Sequence, residues 1–232
     1  MSFDVEMDAP PYMSSFRGVD EALNPIIEVL ERHRVKATFF TIGVLAKLRP
    51  KAVEAIVEAG HELGSHGLDH KRLDRMPLKE AVENVKGSLK LLREYYDVVS
   101  FRAPNLKLPG NLLPQLASQG VLVDSSVAKY KPPIYSDPTL EYGILRIPVS
   151  YPSSLLRLPW SILGRLVAGD GDKVILLHPW ELLEIKAPRP DLTWGTGLRV
   201  LRNLERTIVC LKSLGYKFIT MKEAYPTLLA IS

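Results

Sequence analysis

His66 and His70 stand four residues apart in the stretch His66-Gly67-Leu68-Asp69-His70. On a helical turn, positions i and i+4 share a face, so both imidazoles could bind one ion. The competing reading is two unrelated surface or core histidines. Two imidazoles need a third, harder ligand to hold a divalent cation with an open position. Asp4 and Glu6 are candidates, because residues two apart on a strand point to the same side. An ion pair with Lys or Arg is the other role open to them. Arg102, just before Ala103-Pro104, can fix a carboxylate bidentately and keep it ionised, or serve in a surface salt bridge. Asp124 and His178 can form a second pair, in which the aspartate orients and charges the imidazole; otherwise His178 is a satisfied core histidine. His33 suits a helix C-terminus, and His61 opens a strand; neither points to chemistry.

The elements that must position these groups follow from the apolar pattern, which switches repeatedly between strand-like and helix-like. Strands are predicted at 2–5, 36–41, 61–64, 98–101, 121–124, 144–149, 173–177 and 216–220. Leu23, Ile26, Ile27 and Leu30 share a helical face. Further helices are predicted from Pro50 to Ala59, over 78–92, over 111–118, over 153–167 with Pro159 limiting or kinking it, and over 201–211. Such alternation implies parallel pairing in a barrel-like closure or a large open sheet. Asp4 and Glu6, the two histidines, Arg102, Asp124 and His178 all fall in or just after the ends of strands. In a parallel barrel those ends converge on one face, where active sites form.

The chain has 232 residues, 46% of them hydrophobic, which fits one α/β domain spanning 1–232. The formal net charge is +4, but Lys and Arg are spread along the chain with no basic run, which argues against a nucleic-acid partner. The lone cysteine, Cys210, excludes an internal disulfide and is expected to pack in the core. The N-terminus lacks a signal-peptide pattern, and no apolar run reaches the roughly 18 residues of a membrane span; a cytoplasmic location is expected. The loops Ala128–Tyr142 and Glu184–Gly197 are expected to wall the pocket. Scarce Cys, Asn and Gln hint at a heat-stable source.

In order, the segments SFDVE, ATFFTIG, GHELGSHGLDH, FRAPN, VDSS and LLHPW resemble the polysaccharide deacetylase, or NodB-homology, family. The resemblance implies a deformed (β/α) barrel of about seven units, short of the eight of a regular barrel. It also implies hydrolysis of N-acetyl, sometimes O-acetyl, groups on a carbohydrate. The implied cofactor is a divalent metal, zinc first, with Co2+, Ni2+ or Mn2+ as alternatives. The family's first motif commonly reads T-F-D-D, and here Val5 replaces the second aspartate. Some branches use D-x-D or D-x-E, and on that pattern Asp4 is the general base and Glu6 joins His66 and His70 as metal ligands. Gly67 stands where Ser or Thr is common. Arg102, Pro104 and Asn105 match the R-x-P motif, Arg102 steadying Asp4. Asp124 matches a later aspartate, implied to keep the catalytic acid His178 protonated. Pro104, Asn105 and Trp180 are implied at the substrate, with Trp194 or Tyr151 as further walls. Two other readings stay open: an allantoinase-like cyclic-amide hydrolase, and a non-catalytic carbohydrate-binding relic.

Overall fold

The computed structural model describes residues 1–229. One curled sheet contains β1 (Ser2–Val5), β2 (Thr38–Thr41), β3 (Glu62–Ser65), β4 (Ser100–Phe101), β5 (Val123–Asp124), β6 (Thr139–Glu141), β7 (Ile144–Arg146) and β8 (Leu176–Leu177). The order is β6-β7-β5-β4-β3-β2-β1-β8, parallel throughout except for the β6–β7 hairpin. Beyond β7 the chain reaches the other end of the sheet. Ser150 donates its backbone N–H to Val174 O at 2.9 Å, and Tyr151 makes an isolated parallel bridge to Ile175. The wall is therefore stitched into a barrel by seven strands, with β6 outside it. This is the deformed (β/α) barrel expected.

β1, β2 and β3 are buried along their whole length, because helices cover the outside and side chains fill the inside. Phe3 and Phe39 stack between β1 and β2 with ring centroids 4.7 Å apart. The helices Leu23–Arg32, Leu78–Leu92 and Leu198–Ser213 each turn one apolar stripe inward, the last through Val200, Leu204, Ile208 and Leu211. That stripe follows the 3.6-residue period. Cys210 is half-buried and packs against this core.

Three local features stand apart from the sequence pattern. Residues 216–220 form no strand. They lead into the helix Met221–Leu229, whose first N–H groups are taken by side chains of the barrel floor: Met221 N–H by Thr38 Oγ1 at 2.9 Å and Lys222 N–H by Glu62 Oε2 at 3.1 Å. Pro159 ends one element and starts another, a 3-10 turn Ser153–Arg157 and a helix Trp160–Val167. The exposed β6 has no apolar alternation to mark it as a strand. Among the described residues, no helix is long and apolar enough to cross a membrane.

Candidate active site

The strand ends deliver their polar side chains to one face. Asp4, in β1, and Glu6, just after it, are both buried and both line the same cleft, as their two-residue spacing requires. Arg102, which follows β4, is fully buried. Its Nη1 donates to Asp4 Oδ1 at 2.7 Å, its Nη2 to Ser2 Oγ and Ser125 Oγ, and its Nε to Ser125 O. The guanidinium also lies 4.2 Å from the centre of the Phe40 ring. With one oxygen committed to Arg102, Asp4 has Oδ2 as its second oxygen, 3.8 Å from His66 Nε2 and 4.0 Å from His178 Nε2.

His66 and His70 do not share a helical turn. The stretch after β3 is an irregular loop, with Gly67 at φ +75° and His70 at φ +61°. Glycine takes the left-handed conformation without strain, and a Cβ there would also come within 3.2 Å of Asn84 Oδ1. Asn84 accepts the Leu68 N–H and donates to Asp69, so the helix Leu78–Leu92 holds the loop. The loop brings both imidazoles to Glu6: Oε2 lies 3.1 Å from His66 Nε2 and 2.7 Å from His70 Nε2.

This cluster is the group among the described residues that could hold a metal ion, with candidate ligand atoms all within 4.8 Å of one another. Donors bonded at about 2 Å to a single ion stand roughly 3 Å apart, and the Glu6–histidine contacts match that. Two imidazoles and one carboxylate suit zinc and other first-row divalent ions. His66 Nδ1 sits 2.8 Å from Arg102 O. An N–H donated there leaves the Nε2 lone pair facing the cluster, the usual arrangement behind a ligating histidine. Burial alone would raise the Glu6 pKa, but His70, His178 and the histidine hydrogen bonds outweigh it and hold it well below the carboxylate range. The site is thus built to keep an anion.

His178, after β8, enters from the opposite side, with Nε2 3.5 Å from Glu6 Oε1. Its partner corrects the expectation of an Asp124–His178 pair. Nδ1 lies 2.7 Å from Glu181 Oε1, and Glu181 Oε2 accepts from Arg157 Nε. A 3-10 turn at Pro179–Leu182 returns Glu181 beneath the ring. Burial disfavours the imidazolium, yet Glu6, Glu181 and Asp4 together push the His178 pKa up to about 9. Asp124 is committed elsewhere. Arg146, directly across from it on β7, donates to its Oδ2 at 3.0 Å, and Ser126 donates to its Oδ1. Ser126 Oγ in turn accepts the Ala103 N–H at 2.8 Å. Asp124 therefore braces the loop beside Arg102 and does not line the cleft.

The family model for polysaccharide deacetylases matches residues 7–123, half of the chain, a span that contains His66, His70 and Arg102. The chain belongs to the polysaccharide deacetylase family. It is 25% identical over 211 residues to a peptidoglycan-N-acetylglucosamine deacetylase, PgdA, of Listeria monocytogenes, covering 90% of this chain and 37% of that protein. The chain thus spans little more than a third of the length of that curated relative. Among solved structures it resembles a Mycobacterium smegmatis protein assigned as a polysaccharide deacetylase (TM-score 0.78, 19% identity, 99% of this chain and 89% of that one). It also resembles a CE4 family pseudoenzyme from Bacillus anthracis (TM-score 0.64, 18% identity, 96% and 64% of the two chains). These likenesses show the fold; activity has to be argued from the site.

In this polysaccharide deacetylase domain the cleft has a volume of about 320 Å³. Asp4, Glu6, His66, His70 and His178 line its polar wall. Trp180 lines the cleft beside His178, stacked on it with ring centroids 5.2 Å apart. Asn105 is at the rim, at φ +59°, with its carbonyl accepting from Lys131 Nζ at 2.7 Å. Pro104 is buried behind the metal-loop turn, near Gly67, and is not part of the cleft lining, contrary to its expected place at the substrate. Trp194 and Tyr151 stand in a neighbouring hollow. Glu181 and Arg157 were missed as functional residues. An acid three residues beyond a histidine, with proline between, is a legible sign of a capping turn; Arg157 inside an apolar run gives no local sign of its partner.

Proposed function

We propose that the chain is a metal-dependent hydrolase that removes N-acetyl groups from an amino sugar, alone or within a saccharide, with the whole span acting as one catalytic unit. The observation that carries this is the meeting, in one cleft, of a two-histidine, one-carboxylate cluster with a carboxylate braced by Arg102 and an imidazole braced by Glu181.

Glu6, His66 and His70 would hold the ion, with zinc the first candidate on donor chemistry. When bound, such an ion supplies Lewis acidity to the acetamide carbonyl and to the attacking water. Asp4, fixed by Arg102, presents Oδ2 to the cleft and takes the proton from that water. His178 donates from Nε2 to the departing amine, while Glu181 fixes its ring and favours its charged form. The edge of Trp180 that reaches the cleft beside His178 supplies an apolar contact for the acetyl methyl.

The test is acetate release from N-acetylated amino sugars before chelation, after it, and after return of Zn2+, Co2+, Ni2+ or Mn2+. Loss on chelation and recovery with one ion is the expected result. Acetate release that persists with bound metal shown absent would overturn the reading. Ring opening of a cyclic amide without acetate would replace it.

A further inference from the structure

A second hollow opens beside the catalytic cleft. Its volume is about 480 Å³. It shares Pro152, Ser154 and Asp191 with the cleft that holds Asp4, Glu6 and His178, so the two hollows adjoin along that wall. The rest of its wall is Tyr151, Leu155, Leu158, Leu166 and Trp194. Leu166 is 42% exposed and Trp194 54%. Ile162, four residues before Leu166 on the same helix and 50% exposed, carries the apolar surface outward on that face.

The polar groups of this wall are mostly spent on the protein itself. Tyr151 OH donates to Leu166 O at 3.0 Å. The Asp191 carboxylate accepts two bonds from Arg189, at 3.0 and 2.7 Å. Among the described residues, the Ser154 hydroxyl and the Trp194 indole N–H are the wall's side-chain polar groups without such a partner. A sugar ring laid here would bring several hydroxyls to a mainly aliphatic surface that offers few partners beyond those two groups and the Asp191 carboxylate, and unmatched polar groups resist burial. A hydrocarbon chain brings none and gains from leaving water.

The groove is also preformed. Arg157, which binds Glu181 through Nε, donates from Nη1 to Asp191 O at 3.2 Å and Leu192 O at 3.0 Å. Gly195, at φ +70°, lies so close to Arg157 that a Cβ would meet its carbonyl oxygen at 2.8 Å. One guanidinium thus ties the turn that carries Asp191 and Trp194 to the partner of His178.

We infer that the substrate is amphiphilic: an amide-bearing sugar head occupies the cleft, and an apolar chain attached to it lies in the groove walled by Leu155, Leu158, Leu166 and Trp194. This rests on the amide hydrolysis proposed above. A chain bound away from the reacting bond is held equally in ground and transition states, so it acts chiefly on KM.

The experiment uses methyl, butyl, hexyl and octyl β-glycosides of N-acetylglucosamine, with N-acetylated chitotriose as the saccharide alternative, all below micelle-forming concentration. Acetate release is measured for each. In parallel, binding of octyl β-glucoside, which has no amide, is measured by calorimetry. Each added methylene is expected to raise kcat/KM by about threefold through KM until the groove is full. Leu166→Asn and Trp194→Ser, both at exposed positions, are expected to collapse the octyl-to-methyl ratio and weaken octyl glucoside binding. Acetate release with no dependence on chain length, or a preference for chitotriose over octyl, would overturn the groove assignment and leave the deacetylase reading standing. Octyl glucoside binding that the variants weaken, with no acetate from any compound, would uphold the groove and overturn the deacetylase reading. Neither binding nor hydrolysis would overturn both.

Discussion

Glu181 holds His178 through Nδ1 at 2.7 Å, leaving Nε2 as the ring nitrogen that faces the carboxylates of Asp4 and Glu6. The histidine is therefore loaded from behind and discharges into the cleft. Arg157 keeps Glu181 itself in place. Burial pulls against ionisation of Glu181, but His178 and Arg157 outweigh it and hold its carboxyl below the usual range.

Glu181→Gln removes one of the charges that raise the His178 pKa. A protonated His178 is the form that donates, so turnover falls as pH rises through its folded pKa, about 9 in the present arrangement. With the glutamate neutralised, the alkaline limb of kcat/KM should move to lower pH. A pH profile of the variant checks this. His178→Ala should lower turnover by roughly 10²–10⁴-fold, the usual contribution of a general acid or base.

Asp124→Asn should leave that alkaline limb where it is, because Asp124 faces Arg146 and not His178. Its effect should appear in stability instead. Removing one partner of a buried ion pair costs about 3–5 kcal/mol. Denaturant unfolding and the pH profile, taken together on the same variant, separate the two roles.

Glu6→Ala and Asp4→Ala should part company in bound metal. Glu6 touches both histidines at Oε2, whereas Asp4 is committed through Oδ1 to Arg102. Zinc measured on the purified proteins should be lost in the first and kept in the second, with turnover low in both. Retention by Glu6→Ala and loss by Asp4→Ala would exchange the roles of ligand and base.

His61 offers a change in stability remote from the chemistry. It is buried beside Phe39, and neither ring nitrogen has a hydrogen-bond partner among the described residues. Burial, with help from Lys36, pushes its pKa down from 6.5 to about 4. Between those values the unfolded chain binds a proton that the folded chain refuses, so stability declines as pH falls through that window. His61→Leu should flatten the decline and, at pH 5, raise stability by about 1–3 kcal/mol, the scale of an unpaired buried polar group. Unfolding midpoints at pH 5 and pH 7 measure both effects.

The fold was largely legible because its signals are local. The β1 boundaries, the long helix at 78–92 and the Pro50 start all follow from periodicity and from where proline is tolerated. The gathering of Asp4, Glu6, His66, His70, Arg102 and His178 was legible for a topological reason, since parallel strand ends share a face. What a sequence does not carry is angle around the barrel. Asp124 and His178 both end strands, but β7 stands between them, and Arg146 on β7 takes the aspartate first. Glu181 reaches His178 by folding back over a single turn. The histidine spacing suggested the right neighbours by the wrong local geometry, because Gly67 and His70 adopt left-handed backbone where a helix was expected.

The barrel wall is thinly reinforced where the segment after β7 meets β8, at the Tyr151–Ile175 bridge and two bonds between Ser150 and Val174, against four register pairs each for β1–β2 and β2–β3. A joint with so few fastenings opens locally at lower cost than those long ladders. His178 sits just above one lip of that joint, and Ser153 and Ser154 above the other. Backbone amides along 149–151 and 174–177 should therefore exchange with solvent before those of β1 to β3. Opening there would widen the mouth of the catalytic chamber while Glu6, His66 and His70, beside the four-pair ladders of β1–β2 and β2–β3, keep their mutual spacing. Exchange in that order would divide the molecule between a rigid anvil and a yielding jaw.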